Sequence, residues 1–554
     1  MLLRVRSLRL PLEHEEGDLL RAAARKLGVN PKHILNLTKV KKAVDARKSE
    51  VRFTYTVDVK LDNAVRLKPG LIKSPEISSI QPKAYTPPLP GQEPLTSSPL
   101  IVGSGPAGLF CALLLARCGY RPVVIEQGLD VDRRVPLVEK FWRHGILDER
   151  CNTQFGEGGA GTFSDGKLTT RIGDERIDFV LQTFVEHGAD SEILYIKKPH
   201  VGTDVIRQVV KKIRQEIIDR GGEFYFNCQL TDLNVNETQL KSIIINNRTE
   251  INPAVMVLAV GNSSRDIFYR LYARNVKIIP KAFALGVRVE HPQGLIDQIQ
   301  YGDYAGHPCL GAADYQLTYQ DEATKRSLYT FCMCPGGYVI AGSSHKEQVV
   351  TNGMSYFKRD SGTANSAVVA TVGPADWGST PLGGVKLQEQ LESRAFELGG
   401  GGYRAPAQLL NDFLEHKATV TLADSIATYT PGVTPADLWN LLPREVCQAM
   451  QRGILYWGGK MKGLIDSRAV MTGVETRTST PLRIERGDDF CSVSVKGLYP
   501  CGEGAGYAGG IMSSAVDGLK TAEHIIMKYR RPDSLLPVDD IDSCPASDWS
   551  RTLQ

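Results

Sequence analysis

Long apolar runs and blocks of like charge are both missing from this chain of 554 residues. No apolar run approaches the ~20 residues that a membrane-spanning helix needs, so we expect no membrane partner. The formal net charge is only +4, which disfavours nucleic acid as a partner. The basic stretch from Lys39 to Lys48 is interleaved with apolar residues, and we interpret it as the solvated face of a helix.

Patterned cysteines and histidines are missing as well. The 11 cysteines form no even framework and no Cys-x-x-Cys pair, which indicates reduced thiols and a cytoplasmic location. The 10 histidines show no metal-ligand spacing, so we expect no metal site. Residues Met1–Leu10 alternate arginine with leucine and valine, which predicts a strand and differs from the layout of a signal peptide.

Changes of composition along the chain predict several structural units. A proline-dense stretch forbids regular helix and favours an extended connector. Strand–glycine–helix patterns occur on both sides of a region of different texture, which predicts one Rossmann-like domain with an insertion. Within that region we expect a helix near residues 406–415. The expected fold class is α/β, comprising a small N-terminal α/β domain, a linker, a dinucleotide-binding domain in two parts, an inserted α+β substrate or cap domain and a tail, at residues 1–66, 67–95, 96–284 with 475–530, 285–474 and 531–554, respectively.

Three stretches match G-x-G-x-x-G, at 103–108, 156–161 and 504–509, and only their context separates them. The first alone has a preceding strand, a following helix and an acid at the end of the next strand, as a dinucleotide fold requires. Its three glycines permit a tight turn, a close approach of the pyrophosphate and close packing of helix on strand. Glu126 is expected to accept hydrogen bonds from the adenosine ribose, which disfavours a 2′-phosphate there.

The glycine motif alone does not separate FAD from NAD. Residues 255–261 resemble the strand of the FAD/NAD-linked reductase superfamily that returns beneath the cofactor. Residues 497–504 resemble its second FAD motif, with Glu503 in the place of an aspartate. The resemblance implies FAD, with Glu503 on a ribityl hydroxyl and the amides of the helix after Gly510 facing the flavin N1/O2 edge.

Two further features leave alternatives open. The glycine-rich stretch 156–167 is interpreted as a loop along the isoalloxazine ring, with an unrelated surface loop as the alternative. Arg133 and Arg134 would meet the pyrophosphate or form a solvated pair. Leu230 lies where such folds contact adenine. The expected cofactor-binding residues are Gly103, Gly105, Pro106, Ala107, Gly108, Glu126, Gln127, Arg134, Gly159, Ala160, Gly161, Leu230, Ala259, Gly261, Gly502, Glu503, Gly509, Gly510, Ile511 and Met512.

The chain most resembles a family of FAD-dependent dehydrogenases related to the NAD(FAD)-utilising dehydrogenases. The stretches that carry the resemblance are 156–167, 331–337, 351–355, 473–479 and 502–510. The resemblance implies an oxidoreductase that passes a hydride between an organic small-molecule substrate and flavin N5. NAD(P)H could act as a transient donor, but no second dinucleotide domain is visible.

Two other classes of function remain open, and no catalytic residue is assigned. A flavin monooxygenase shares this fold, and an RNA-modifying or noncatalytic FAD protein could use the N-terminal domain. In that domain, Phe53 and Tyr55 suit either base stacking or a core. Arg477 could hold a substrate anion. Cys332 and Cys334 are interpreted as structural thiols rather than a redox pair, because cysteines so close on a strand need an unusual geometry to form a bridge.

Overall fold

The structure is a computed structural model that describes residues 1–47, 50–67, 70, 74–81, 85–170, 172–423 and 425–537. The strands are β1 Leu2–Leu10, β2 Ile34–Asp45, β3 Arg52–Leu61, β4 Ile77–Ser79, β5 Leu100–Val102, β6 Val123–Ile125, β7 Glu223–Tyr225, β8 Leu230–Asn236, β9 Gln239–Ile245, β10 Thr249–Ile251, β11 Met256–Leu258, β12 Ile278–Pro280, β13 Phe283–Pro292, β14 Thr318–Asp321, β15 Arg326–Cys334, β16 Tyr338–Ala341, β17 Thr351–Met354, β18 Thr363–Val372, β19 Ala405–Leu409, β20 Val433–Pro435, β21 Val470–Glu475, β22 Leu482–Ile484 and β23 Leu498–Pro500.

The α-helices lie between these strands. They are α1 Glu16–Leu27, α2 Pro106–Arg117, α3 Val131–His144, α4 Arg176–Glu186, α5 Gly202–Asp219, α6 Arg265–Ala273, α7 Gln293–Tyr301, α8 Pro374–Trp377, α9 Gly383–Leu398, α10 Leu410–Leu414, α11 Arg444–Lys460 and α12 Ile511–Lys528. In the part of the chain that the structure describes, no helix is both long enough and apolar enough to span a membrane.

The N-terminal residues form a four-stranded sheet in the order β2-β3-β1-β4, with α1 packed on one face. The prediction of a helix face for the basic stretch is wrong, because Ile34–Asp45 is a strand that pairs with β3 along its length. Its lysines at 39, 41 and 42 do not alternate regularly with apolar residues, and the pairing shifts register between Lys39 and Lys41. Lys48 lies outside the described residues. Phe53 and Tyr55 are buried in the core of this sheet.

The predicted linker contains a strand as well as extended chain. Ile77–Ser79 pairs antiparallel with β1 and closes the N-terminal sheet. Further on, Gly91 donates to the carbonyl of Ile526, so this stretch runs against the end of α12. Residues 68–69, 71–73 and 82–84 of the linker, and 538–554 of the expected tail, lie outside the described part of the chain.

A five-stranded, wholly parallel sheet in the order β23-β11-β5-β6-β7 forms the Rossmann-like unit. Each central strand is short, apolar and fully buried, as parallel strands covered on both faces require. Helices α2, α5 and α12 pack on one face, and the antiparallel sheet β10-β9-β8 covers the other. Because β23 lies near the end of the chain, this sheet is completed only after the chain has passed through a second large sheet.

That second sheet, called here the cap sheet, has the order β14-β15-β18-β13-β21-β19-β20. Helix α11 packs on one of its faces and contributes Val446, Met450 and Trp457 to the buried core. The prediction of a helix over 406–415 is wrong for its first half, since Ala405–Leu409 pairs with both β20 and β21 and only Leu410–Leu414 is helical. The α/β fold class with an additional α+β unit is confirmed.

Candidate cofactor and substrate site

A cavity of about 1590 Å³ lies between the carboxyl ends of the parallel strands and the cap sheet. Ligands of open α/β sheets bind at this edge of the strands. Sites for drug-sized ligands measure about 300–1,000 Å³. The cavity therefore has room for a dinucleotide together with a second molecule.

The first glycine turn forms the floor of this cavity, and each of its glycines is required for a different reason. Gly103 has φ of +101°, and a Cβ on it would lie 2.4 Å from the carbonyl oxygen of Ala259. A Cβ on Gly108 would lie 1.9 Å from the oxygen of Gly103, so helix and turn could not cross there. A Cβ on Gly105 would face open space, with its nearest neighbour, the Cα of Gly159, 3.9 Å away. The open space above Gly105 is what a bound pyrophosphate would fill.

Two helices begin at this cavity without a side-chain cap. No described side chain accepts from the first turn of α2 or of α12, and the first residue of each helix lines the cavity. Their free N–H groups and positive dipole ends therefore point toward bound negative charge. At the second helix, a Cβ on Gly509 or on Gly510 would meet no atom within 4 Å, which leaves a cradle for a ring system.

Glu126 ends β6 and joins three loops at the cavity wall. One carboxylate oxygen accepts from the amide and hydroxyl of Ser104, at 2.9 and 2.8 Å. The other accepts from the amides of Gly128 and Gly156, at 3.0 and 2.9 Å. These four hydrogen bonds occupy the lone-pair sites of the carboxylate, which lines the cavity. Glu126 thus fixes the first glycine turn and the glycine loop relative to one another.

The structure places the glycine-rich stretch 156–167 at the cavity wall. Gly159, Ala160 and Gly161 of the glycine-rich stretch lie in the cavity, and a Cβ on Gly159 would meet the Cα of Gly105 at 3.2 Å. The stretch is therefore part of the site and not a distant surface loop. Arg134, in contrast, is fully buried and does not line the cavity.

Arg134 holds the glycine loop from behind. Its Nε donates to the carbonyl of Asn152 at 2.8 Å, and its Nη1 donates to the carbonyls of Glu157 and Gly159 at 2.7 and 2.9 Å. The expectation of a pyrophosphate contact or a solvated pair is corrected for Arg134, because the side chain is fully buried and lies outside the cavity wall. Its Nη2 has no hydrogen-bond partner among the described residues. Arg133 is half-exposed and pairs with Asp130.

Most of the expected cofactor-binding residues lie together in the cavity wall. Besides Arg134, the exceptions are Gly108, Gly502 and Met512, which pack behind the wall; a Cβ on Gly502, for example, would lie 2.6 Å from the Cβ of Ala107. Those that line the cavity are Gly103, Gly105, Pro106, Ala107, Glu126, Gln127, Gly159, Ala160, Gly161, Leu230, Ala259, Gly261, Glu503, Gly509, Gly510 and Ile511.

Glu503 follows β23 and presents an acid to the same cavity. Asn262 donates to its Oε1 at 2.8 Å. Burial raises the pKa of Glu503 to about 7, against the opposing effects of the Asn262 hydrogen bond and the nearby Lys281 ammonium. The group therefore exchanges its proton near neutral pH, so it can donate or accept a hydrogen bond at a hydroxyl.

This raised pKa predicts a pH-dependent stability of the protein without FAD. The folded state holds the Glu503 proton more tightly than the unfolded chain does. Protonated Glu503 therefore makes its full contribution to the free energy of unfolding below about pH 4.5, and this contribution is lost as the pH rises through about 7. The melting temperature of the wild type should fall relative to that of Glu503→Gln between about pH 5 and about pH 8. Glu237→Gln, in an exposed turn, is the control. A difference in melting temperature between the wild type and Glu503→Gln that stays constant with pH would refute the raised pKa of Glu503.

The cap-sheet wall of the cavity was missed by the sequence analysis. It brings in Tyr319 of β14, Tyr329 and Phe331 of β15, and Tyr456 of α11. These residues come from separate strands and a helix, and no motif marks them. Their alternation along β15 is the only sequence signal that could have indicated a lined surface.

Arg477 also lines the cavity, but its charge is already compensated. Its Nε and Nη2 donate to the two carboxylate oxygens of Glu392, at 3.1 and 2.9 Å, and its Nη1 donates to Ser263 and Ser344. Arg265 binds the same Glu392 at 2.6 Å. Arg265, Glu392 and Arg477 thus form a buried triad, and the expectation that Arg477 holds a substrate anion stays a prediction.

Comparisons with known proteins agree with this site. A family model described as "FAD-dependent protein, C-terminal domain-like" matches residues 282–478, and one described as a domain of unknown function (DUF8436) matches residues 2–60. A protein of Clostridium beijerinckii, carried under the name "Uncharacterized protein", is 47% identical over 534 residues, which cover 96% of this chain and 100% of that protein.

Solved structures resemble the chain only distantly. L-proline dehydrogenase from P. horikoshii has a TM-score of 0.34 at 12% identity, covering 79% of this chain and 96% of that one. The geranylgeranyl bacteriochlorophyll reductase-like protein of Thermoplasma acidophilum has 0.33 at 13%, covering 78% of each chain. Glycerol-3-phosphate dehydrogenase from Bacillus halodurans, complexed with FAD, has 0.32 at 10%, covering 78% and 64%. At these scores the likeness carries no conclusion about activity.

The glycine turns, the two uncapped helix ends and the matching family model together define an FAD-dependent protein. FAD is its cofactor, as the sequence predicted. Across nearly its whole length, the chain belongs to the same family as the Clostridium beijerinckii protein.

Proposed function

We propose that the chain is an FAD-dependent oxidoreductase that passes a hydride between an organic small molecule and flavin N5. One observation carries this proposal: the cavity extends beyond the glycine turns to the cap sheet, where it is walled by Tyr319, Tyr329, Phe331 and Tyr456. A protein that only stored FAD would not need this second chamber. Aromatic and polar walls around an enclosed volume are typical of small-molecule sites.

The residues present fit FAD along its whole length. The amides at the start of α2 would hold the pyrophosphate above Gly105, and Glu126, at the cavity wall, would lie beside the adenosine ribose. Glu503, positioned by Asn262, would contact a ribityl hydroxyl. The start of α12 would face the flavin edge on which negative charge develops. When bound, FAD supplies the hydride-accepting centre, and the protein orients it and excludes water.

Charge in the second chamber favours an anionic substrate. Arg359 pairs with Asp165 at 2.9 Å, and Lys198 pairs with Asp314 at 2.7 Å, so both cations are neutralised. Lys167, in the glycine loop, lines the cavity and forms no ion pair with any described residue. With Lys281 and Arg483, which line the cavity and likewise have no ion pair with a described residue, it is a cation available to a substrate carboxylate or phosphate.

Anaerobic bleaching of the bound flavin tests the proposed reaction. A panel of reduced organic donors, including 2-hydroxy acids, amino acids and NAD(P)H, should contain at least one that bleaches the flavin. Lys167→Met should raise KM for an anionic donor about tenfold, as loss of about 1.4 kcal/mol of binding implies. Lys198→Met, which removes a cation already paired with Asp314, is the matched control.

Two results would refute the proposal. One is a flavin that no donor bleaches although dithionite does. The other is reoxidation by dioxygen that transfers an oxygen atom to the product, which would establish a monooxygenase. The alternative that the N-terminal domain serves an RNA-modifying protein rested on Phe53 and Tyr55 as base-stacking residues. Both side chains are buried in the core of that domain.

A further inference from the structure

Cys332 and Cys334 lie at an irregularity in the cap sheet. Strand β15 pairs with β18 up to Phe331 opposite Ala367 and resumes with Cys334 opposite Asn365, so Cys332 and Met333 share a single partner position. This is a β-bulge, and Cys332 has φ of +44°. Glycine is the usual residue at such a bulge position, because the left-handed conformation strains residues with a side chain.

The bulge brings the two thiols together. In a regular strand, residues two apart are about 6.6 Å apart along the chain, whereas a disulfide needs Cβ atoms about 3.5–4.5 Å apart. Here the Cys334 thiol donates to the carbonyl oxygen of Cys332 at 3.2 Å, so it lies against the residue that carries the other thiol. In a regular strand, two cysteines so close in sequence lack the geometry for a bridge, and for that reason the sequence favoured structural thiols over a redox pair. The bulge departs from a regular strand at these residues.

The pair lies at the cavity wall. Cys332 lines the cavity and Cys334 is fully buried behind it. Arg288, itself fully buried, donates to the carbonyl oxygen of Cys332 at 3.0 Å and binds Glu475 at 3.0 Å. Strained residues and buried charges of this kind concentrate at functional sites.

The charges around the pair favour one thiolate and one thiol. The neighbouring Cys334 thiol, the Arg288 guanidinium and the Lys167 ammonium together lower the pKa of Cys332 despite burial and the opposing charge of Asp165. Its proximity to Cys332, with burial, raises the pKa of Cys334. Glu475, on the far side of Arg288, keeps that guanidinium charged. A thiolate beside a protonated thiol is a reactive form of a dithiol.

We propose that Cys332 and Cys334 are a redox-active pair that exchanges two electrons with FAD and cycles between dithiol and disulfide. In the forward direction, the S–H bond of Cys334 breaks and an S–S bond forms. FAD takes the electron pair and that single proton, and is reduced to FADH⁻. The reverse step regenerates the dithiol at the expense of reduced flavin. The pair requires FAD but no organic substrate, so this inference goes beyond the proposed hydride transfer.

Anaerobic titration of the holoprotein with dithionite tests the pair. After mild oxidation, the wild type should take up about twice the reducing equivalents per flavin that Cys332→Gly takes up, because a disulfide and a flavin each accept two electrons. Glycine suits the positive φ of the bulge, so this variant should melt no lower than the wild type. Cys334→Ser should behave as Cys332→Gly does, and Cys309→Ser, which changes an exposed cysteine, should match the wild type.

A second measurement does not depend on the flavin. In protein stripped of FAD and oxidised, peptide mass spectrometry should find Cys332 linked to Cys334, and the link should disappear on reduction. Equal uptake of reducing equivalents by wild type and Cys332→Gly, or no linked peptide after oxidation, would overturn the proposal. Because dithionite replaces the organic donor, these outcomes are separate from failure of the proposed hydride transfer.

Discussion

Replacing Gly105 with aspartate is expected to give a folded protein that purifies without FAD. The position faces open cavity space, so the new side chain meets no backbone atom and the fold is retained. Its carboxylate would stand where the pyrophosphate approaches the amides of α2. Two like charges about 4 Å apart at an effective dielectric constant of about 20 repel by about 4 kcal/mol. That repulsion corresponds to nearly a thousandfold weaker binding.

The measurement is the flavin absorption of the purified protein, before and after denaturation, with the melting temperature as a check of folding. Gly294→Asp is the matched control, since that glycine also has no atom within 4 Å of a Cβ and lies at the start of α7, outside the cavity wall. An acid there is compatible with the helix dipole. Gly105→Asp protein with the flavin content of the wild type would show that the pyrophosphate does not lie at this turn.

The parts of the site that the sequence predicted correctly are local. The turn after β5 needs only a strand, three glycines and a helix in succession, and Glu126 is placed by the length of one βαβ unit. The second FAD motif is equally compact, because β23 leads directly into the start of α12. In each of these segments, neighbouring residues determine which side chains reach the cavity.

The parts that the sequence could not predict depend on distant residues. Arg134 and Arg477 lie beside cofactor motifs, and a nearby cation is naturally assigned to an anionic ligand. In the structure, Arg134 instead donates from Nε and Nη1 to backbone carbonyls, and Arg477 pairs with Glu392, a partner 85 positions away. The bulge at Cys332 follows from the register between β15 and β18, which no local pattern encodes.

Dependence on distant residues also explains the two wrong secondary-structure predictions. The segment Ile34–Asp45 has charged residues at intervals that suit a helix face, but its pairing with β3 determines its conformation. Ala405–Leu409 has no marked strand propensity, and two neighbouring strands hold it in the cap sheet. In both segments tertiary pairing outweighs local preference.

The Arg265–Glu392–Arg477 triad is the place where a single neutral substitution should destabilise the protein most. Glu392 on α9 is fully buried, and Arg265 of α6 and Arg477 are 2% and 6% exposed at their side chains. Burial opposes the Glu392 charge, but the two guanidiniums outweigh it and hold the pKa of Glu392 well below its usual range. For Arg477 the balance is reversed, and burial lowers its pKa. One carboxylate therefore pairs with two buried cations and links the cap to the dinucleotide-binding unit.

Glu392→Gln is accordingly expected to lower the free energy of unfolding by about 3–5 kcal/mol, the cost of leaving buried charges without their partner. Urea unfolding at neutral pH measures it, and Glu397→Gln, exposed on the same helix, should change stability by less than about 0.5 kcal/mol. Because the folded pKa of Glu392 is depressed, its contribution is present above the ordinary value of 4.5 and is lost as pH falls below it. The difference in the free energy of unfolding between the wild type and Glu392→Gln should therefore become smaller in acid. A Glu392→Gln protein as stable as Glu397→Gln would mean that the two arginines find other partners, and that the triad does not hold the cap in place.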